Sequence, residues 1–306
     1  MLDITVDLDE LSSLIAAAGC ARYRLTPLGA TCTFPVFKGE AAGIPPVFVK
    51  VGTADEWQRT ADLLRDAGAC GLFPKLLPKS CIDYRGYVVF VMEWKDTKVV
   101  YPEDMTERQA DSLVDACVKL SDALQGVREF SPVSDSPFAP ERMHEEVLGY
   151  VRRHPFAGRL LKGLVSIPAD ERTFGIRSLA VIHGDFHAKN FGFSGDEFTC
   201  VFDFDKLTQG LACSDLADAL VERYSCLGLS ASSRRRLDAV ALRIVARAPW
   251  PREEFAVSCN IARLKFAVRR IRKHPNSAWV ALDILRRDRK IREFLTVVER
   301  TCGVLV

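Results

Sequence analysis

One stretch limits what this chain can become: residues 181–205, VIHGDFHAKNFGFSGDEFTCVFDFD. The run LAVI leads into it and FTCVFDF forms its end. Each is β-branched or aromatic and bounded by Gly or Asp, the pattern of a short buried strand. Between and beside these runs stand His183, Asp185, His187, Asn190, Asp203 and Asp205. Buried strands deliver such polar residues to the loops at their ends, so the stretch predicts a polar cluster held between strands.

Those residue types suit one chemistry. Asp185 can accept a proton from an attacking hydroxyl, while Asn190 and Asp203 offer oxygen ligands to a hard divalent cation such as Mg²⁺. Phosphoryl transfer divides its labour in this way, because the protein positions the nucleophile while metal ions neutralise phosphate charge. The structural alternative makes Asp185 and Asp203 ordinary turn or capping residues.

The motifs also resemble those of a known family. HGDFHAKN is similar to the HGDxxxxN catalytic loop of the aminoglycoside phosphotransferase and choline kinase family. FDFD, eighteen residues after Asp185 (203 − 185), resembles that family's I-D-[FW]-[DE] metal motif. The two motifs in this order and at this spacing reinforce each other. The resemblance implies an α+β, two-lobed protein-kinase-like fold. Residues 1–95 would form an N-lobe with a small antiparallel sheet and one helix. Residues 96–306 would form a larger, mainly helical C-lobe holding the catalytic loop, the metal motif and the substrate-binding helices.

The rest of the chain reads in keeping with that expectation. Residues 7–19 have helical spacing and a closing Gly. YRLTPLGATCTFPVF reads as strand, turn, strand, and PPVFVKV as a third strand. Lys50 sits between valines in an apolar strand, so its ammonium must reach a partner or snorkel to water. By resemblance it holds nucleotide phosphates and pairs with a glutamate on the next helix, TADEWQRTADLLRDAG, where Glu56 is the candidate. The competing reading of Glu56 is a solvated residue of the helix's first turn. Thr31 and Thr33, with the backbone of the turn LGATCT, are candidates for contact with nucleotide phosphates. Glu93 and Trp94, in the run VMEWKD, fall where the family's hinge meets the adenine edge.

TERQADSLVDACVKLSDALQ is a capped amphipathic helix, and Ser131 to Pro140 reads as a loop. Residues 141–166 look helical with a break at Pro155. CSDLADALVERY starts a further helix at Ser214 or Asp215, with a scaffold role for Asp215. Three more helices follow, separated at Pro249, Pro251 and Pro275, each with an Arg-rich face. Residues 181–230 hold 3 Lys or Arg against 8 Asp or Glu, whereas 231–306 hold 18 against 7. The acidic surplus suits a metal site; the basic excess reads as the solvated face of helices, or as a surface for an anionic substrate or partner.

Ten scattered cysteines without a CxxC pair point to reduced core thiols rather than zinc. No apolar run approaches the roughly 20 residues of a bilayer span, and the acidic start MLDITVDLDE is unlike a signal peptide. The expected compartment is the cytoplasm, with no membrane or nucleic-acid partner and an oligomeric state left open. The function expected is an ATP- and Mg²⁺-dependent phosphotransferase, with GTP as the other donor, acting on a hydroxyl of an antibiotic, sugar, nucleoside or amino alcohol. Two readings compete with it: a kinase-like enzyme that phosphorylates or AMP-modifies a protein, and a non-catalytic nucleotide-binding protein on the same fold. The absence of a DFG-to-APE activation segment weighs against a protein kinase. Joint retention of Lys50, Asp185, Asn190 and Asp203 weighs against a degenerate site.

Overall fold

The computed structural model of the chain describes residues 5–28, 34–77, 81–125, 139–167, 179–204 and 206–302. The chain divides into two units: Met1–Thr97 with Thr199–Asp205, and Lys98–Phe198 with Lys206–Val306. The FDFD motif, read from sequence as part of the second half, therefore packs with the first unit.

In the first unit, helix α1 (Leu8–Ala17) starts at Asp7, whose carboxylate accepts from the amides of Asp9 and Glu10. Strands β1 (Arg24–Pro27), β2 (Val36–Ala41), β3 (Ile44–Gly52), β4 (Ile82–Tyr84) and β5 (Tyr87–Glu93) form an antiparallel sheet in the order β1-β2-β3-β5-β4. Side chains alternate across β3. Val47, Val49 and Val51 enter a core with Leu11 and Ile15 of α1 and Val89 and Val91 of β5. Burying each such side chain contributes roughly 1.5–3 kcal/mol. Phe48 and Lys50 consequently face the other side. Helix α2 (Ala54–Ala67) starts at Thr53 and contacts β5.

The second unit is mainly helical. Helix α3 (Glu107–Leu124) carries a capping box between Thr106 and Gln109. Helices α4 (Pro140–Arg153), α5 (Pro155–Leu160) and α6 (Lys162–Val165) follow. The expected interruption falls at His154, with Pro155 opening the next helix, where its missing N–H is harmless. Most of the Ser131 to Pro140 loop lies outside the described residues. Strand β6 (Leu179–Ile182) pairs with β9 (Thr208–Leu211), and β7 (Phe191–Ser194) with β8 (Glu197–Val201). Helices α7 (Ser214–Tyr224), α8 (Ala231–Arg247), α9 (Arg252–Lys273) and α10 (Val280–Cys302) complete it. A core joins Met143, Val147 and Tyr150 of α4 to Leu264, Val268 and Ile271 of α9 and Ile284 of α10.

The Arg-rich faces are not simply solvated. Arg243 of α8 takes Asp111 of α3 in a two-pronged ion pair (2.7 and 2.6 Å) and also reaches Glu107, while Arg247 takes Asp115. Part of the basic surplus thus answers the acidic face of α3. Cys117, Cys200, Cys213 and Cys259 are buried free thiols that act as small core residues. Among the described residues, no helix is long and apolar enough to cross a membrane.

Candidate active site

The loop after β6 has been built around its backbone. Gly184 has φ +76°, a conformation that costs a side chain strain, and a Cβ there would be driven into the carbonyl of Lys206. The amides of His183 and Gly184 donate to the Asp215 carboxylate at the start of α7 (2.8 and 3.1 Å). Asp215 is buried, and that burial pushes its pKa up to about 6 against the pull of these two bonds. His183, almost fully buried, accepts the amide of Asp185 on Nδ1 (3.3 Å) and sits edge-on to Phe186. It acts as a brace.

Asn190 closes the loop. Its side-chain N–H donates to the Asp185 carbonyl (3.0 Å), which turns the amide oxygen away as the end available to a cation. Beneath the loop, Phe186 stacks on Phe191 (4.8 Å between ring centroids), and Phe193 and Phe198 complete the cluster. These phenylalanines bury the loop's underside and so hold its polar edge in place.

Asp185 itself is buried, yet both carboxylate oxygens meet cations. Arg269 of α9 reaches Oδ1, Lys206 reaches Oδ2, and His187 Nε2 stands 3.9 Å from Oδ2. Burial would raise the Asp185 pKa; Arg269 and Lys206 outweigh it and hold the group at about 2. It is therefore ionised, a strong hydrogen-bond acceptor and a weak base. Burial also lowers the His187 pKa below its ordinary value.

A third cation supports the loop from behind. Lys265 of α9 is almost wholly buried, donates to the Gly184 carbonyl and pairs with Asp218 of α7. The loop, α7 and α9 together line an open cleft. Its residues include Asp185, His187, Asp218, Glu222, Lys265 and Arg269, with Phe186, Val221, Ala262 and Phe266 as apolar wall.

In the first unit, Lys50 Nζ lies 3.6 Å from Glu56 Oε1. Glu56 also completes the capping box of α2: its Oε2 accepts the Thr53 amide (2.9 Å), and its own amide donates to Thr53 Oγ1 (3.2 Å). This glutamate is thus ion-pair partner and capping residue at once; at 11% exposure its side chain is not the solvated residue of the competing reading. Gly52 makes room for it, since a Cβ there would stand 2.7 Å from Glu56 Oε2. The Lys50 ammonium lies 5.8 Å from the Phe90 ring centroid, which favours a cation. Glu93 ends β5: its amide donates to Lys75 and its carboxylate takes Lys95 (3.0 Å). Burial opposes ionisation of Glu93, but Lys95 prevails and its pKa is lowered. The Trp94 amide donates to Pro46, and Lys38 lies over its ring. Asp203 is exposed, with a left-handed φ of +60°, an uncommon conformation that Asp tolerates better than most. Its neighbour Phe204 anchors the segment edge-on against Phe73. Thr31 and Thr33 lie outside the described residues.

The structure thus groups Asp185 and Asn190 in one loop of the second unit. Lys50, Glu56, Glu93, Trp94 and Asp203 belong to the first unit. Among the described residues, no three His, Cys, Asp or Glu side chains gather as a metal site. An Asn amide oxygen and an Asp carboxylate nevertheless fit a hard, oxygen-seeking cation. Sequence reasoning missed Lys206, Asp218, Lys265 and Arg269. A signal existed for one of them: Lys265, on one helical face with Ile261 and Val268, invites the same question as Lys50.

Comparison with known proteins gives the family and the fold. The profile of the phosphotransferase enzyme family (APH) matches residues 44–255. No curated protein sequence matches the chain. Among solved structures, amicoumacin kinase hAmiN, in complex with AMP-PNP, Ca²⁺ and Ami, aligns with TM-score 0.64 at 13% identity, covering 93% of each chain. Spectinomycin phosphotransferase APH(9)-Ia, with ADP and spectinomycin, aligns with TM-score 0.60 at 10% identity, covering 98% of this chain and 100% of that one. A thermostable mutant of aminoglycoside phosphotransferase APH(4)-Ia, in a ternary complex with ADP and hygromycin B, aligns with TM-score 0.55 at 13% identity, covering 94% and 98%. At these identities the structural likeness speaks for the fold.

Proposed function

Because the chain belongs to the phosphotransferase enzyme family, we propose that it transfers the γ-phosphoryl group of ATP to a hydroxyl of a small molecule, with Mg²⁺. The observation that carries this reading is the Asp185 loop. An ionised carboxylate stands at a cleft, held by Asp215, Lys265 and Asn190 through the backbone and by cations at its oxygens.

Asp185 orients the acceptor hydroxyl. It takes that hydroxyl's proton as the oxygen bonds to the γ-phosphorus and the phosphorus–oxygen bond to ADP breaks, the electron pair leaving with ADP. A carboxylate held at about 2 is a weak base, which suits a loose transition state in which the proton is lost late. Lys206 adds positive charge beside the Asp185 carboxylate. Lys50, held by Glu56, is assigned to the nucleotide phosphates. Glu93 and Trp94 are assigned to the adenine edge through their carbonyl oxygens, since both amides are engaged. Thr31 and Thr33 keep their assignment to the phosphates from sequence alone. Asn190 and Asp203 are the residues that would hold Mg²⁺. When bound, the cation supplies neutralisation of phosphate charge. GTP is the other donor to be tried. A cytoplasmic setting fits an ATP-using enzyme with free thiols.

The test is Mg-ATP consumption by the purified chain against hydroxylated antibiotics, sugars, nucleosides and amino alcohols, with Asp185→Ala alongside. Turnover with one acceptor, lost in the variant while nucleotide still binds, is the expected result. Equal turnover by the variant would remove Asp185 from the mechanism.

A further inference from the structure

We propose that Arg269 is the acceptor-recognition residue of this cleft, and that the acceptor is a hydroxyl compound bearing a carboxylate or phosphate group that takes the Arg269 guanidinium and releases Asp185 Oδ1 to the hydroxyl. The inference rests on the phosphotransferase reading above and adds the chemical class of the acceptor.

Both oxygens of Asp185 are engaged, Oδ1 by Arg269 and Oδ2 by Lys206. An acceptor hydroxyl needs one of them. Of the two cations, Arg269 is the one that lines the cleft. It can also change partners. Its side chain is 37% exposed, whereas that of Lys265 is 7% exposed and committed to the Gly184 carbonyl and Asp218.

Charge then selects the occupant. If Arg269 left Asp185 without a new anion, its guanidinium would lose that ion pair while sharing the cleft region with Lys206 and Lys265. A cationic acceptor would add to that repulsion, and a neutral one would have to displace an ion pair with a hydroxyl alone. Glu222 on α7 faces the same cleft and is the competing partner, but it is exposed and therefore screened. The planar guanidinium fork matches a carboxylate or phosphate in two parallel bonds. One and two turns back along α9, Phe266 and Ala262 supply the apolar wall for a carbon skeleton.

The experiment uses the full chain with Mg-ATP and matched acceptors: glycerate, gluconate and N-acetylserine, each against its amide, and glycerol 1-phosphate against glycerol. Wild type is expected to favour the anionic member at least tenfold in kcat/KM. The carboxylate and phosphate arms say which anion is preferred. Arg269→Gln is expected to cut that ratio at least tenfold, with Arg269→Lys in between; circular dichroism checks folding. Preference for the amides or glycerol in wild type overturns the proposal. An equal loss on every acceptor in Arg269→Gln also overturns it, by assigning Arg269 to the phosphoryl group. If nothing is phosphorylated, calorimetry on the same compounds decides. Binding of the anions that is lost in Arg269→Gln upholds the role of Arg269 while the phosphotransferase reading falls; no binding overturns the proposal.

Discussion

Removing the Lys265 ammonium tests how the active-site loop is held. In Lys265→Met, the helix keeps a side chain of similar length, but Asp218 loses its cation and the Gly184 carbonyl its donor. The two side chains are 7% and 15% exposed, so little water can compensate. Breaking a buried pair from one side costs about 3–5 kcal/mol, and leaving a buried carbonyl unmet costs about 1–3 kcal/mol. These overlap, and Asp218 keeps some solvent, so a loss of about 3 kcal/mol is expected. Urea unfolding followed by circular dichroism, which reports mainly the helices, measures it as a lower midpoint at constant slope. The double variant Lys265→Met/Asp218→Leu removes both charges and should recover most of the lost stability. Its kcat should stay depressed, because the Gly184 carbonyl still lacks the donor that orients the loop beside Asp185. A loss under about 1 kcal/mol in the single variant, or a double variant no more stable than the single, would refute the reasoning.

Three further outcomes follow from the same geometry. Asp185→Asn should lower turnover at least about a hundredfold and cost about 2 kcal/mol in urea unfolding, the worth of holding the carboxylate at about 2 instead of its ordinary value; unchanged turnover with a stability loss well beyond that would recast Asp185 as structural. Asp203→Gly relieves a left-handed φ of +60°, so it should keep or gain up to about 1 kcal/mol of stability while Mg²⁺-dependent nucleotide binding weakens, and tight binding in the variant would remove Asp203 from the metal site. Asp215 is buried with its pKa raised to about 6, so between the ordinary carboxylate value and 6 the folded state holds more protons than the unfolded one. Its contribution therefore falls as pH rises through that window, by on the order of 3 kcal/mol. Asp215→Asn should flatten that part of the stability profile, and an unchanged slope would mean that the group ionises freely.

Much of the candidate site was legible because it is local. Asp185 and Asn190 lie between β6 and β7, and Asp203 follows β8, all within twenty residues, where turn chemistry and apolar runs alone say which residues reach the loops. The capping box of α2 is equally local, since Thr53 and Glu56 are three residues apart. Lys50 could be singled out because an alternating strand leaves a charged residue only two faces, and β3 spends one of them on Val47, Val49 and Val51. These readings need no knowledge of what packs where.

What tertiary structure alone decided is which polar residues of the helices matter. On α9, Lys265 and Arg269 share a stripe with Ala262 and Phe266, and in sequence that stripe looks like the many Arg- and Lys-bearing faces around it. Only the packing of α9 against α7 turns it toward the Asp185 loop, burying one cation and leaving the other at a cleft. The arginines of α8 likewise find the acidic residues of α3 more than a hundred positions away. A sequence states charges and periods; which charge meets which depends on contacts between distant segments, and those exist only once the chain has folded.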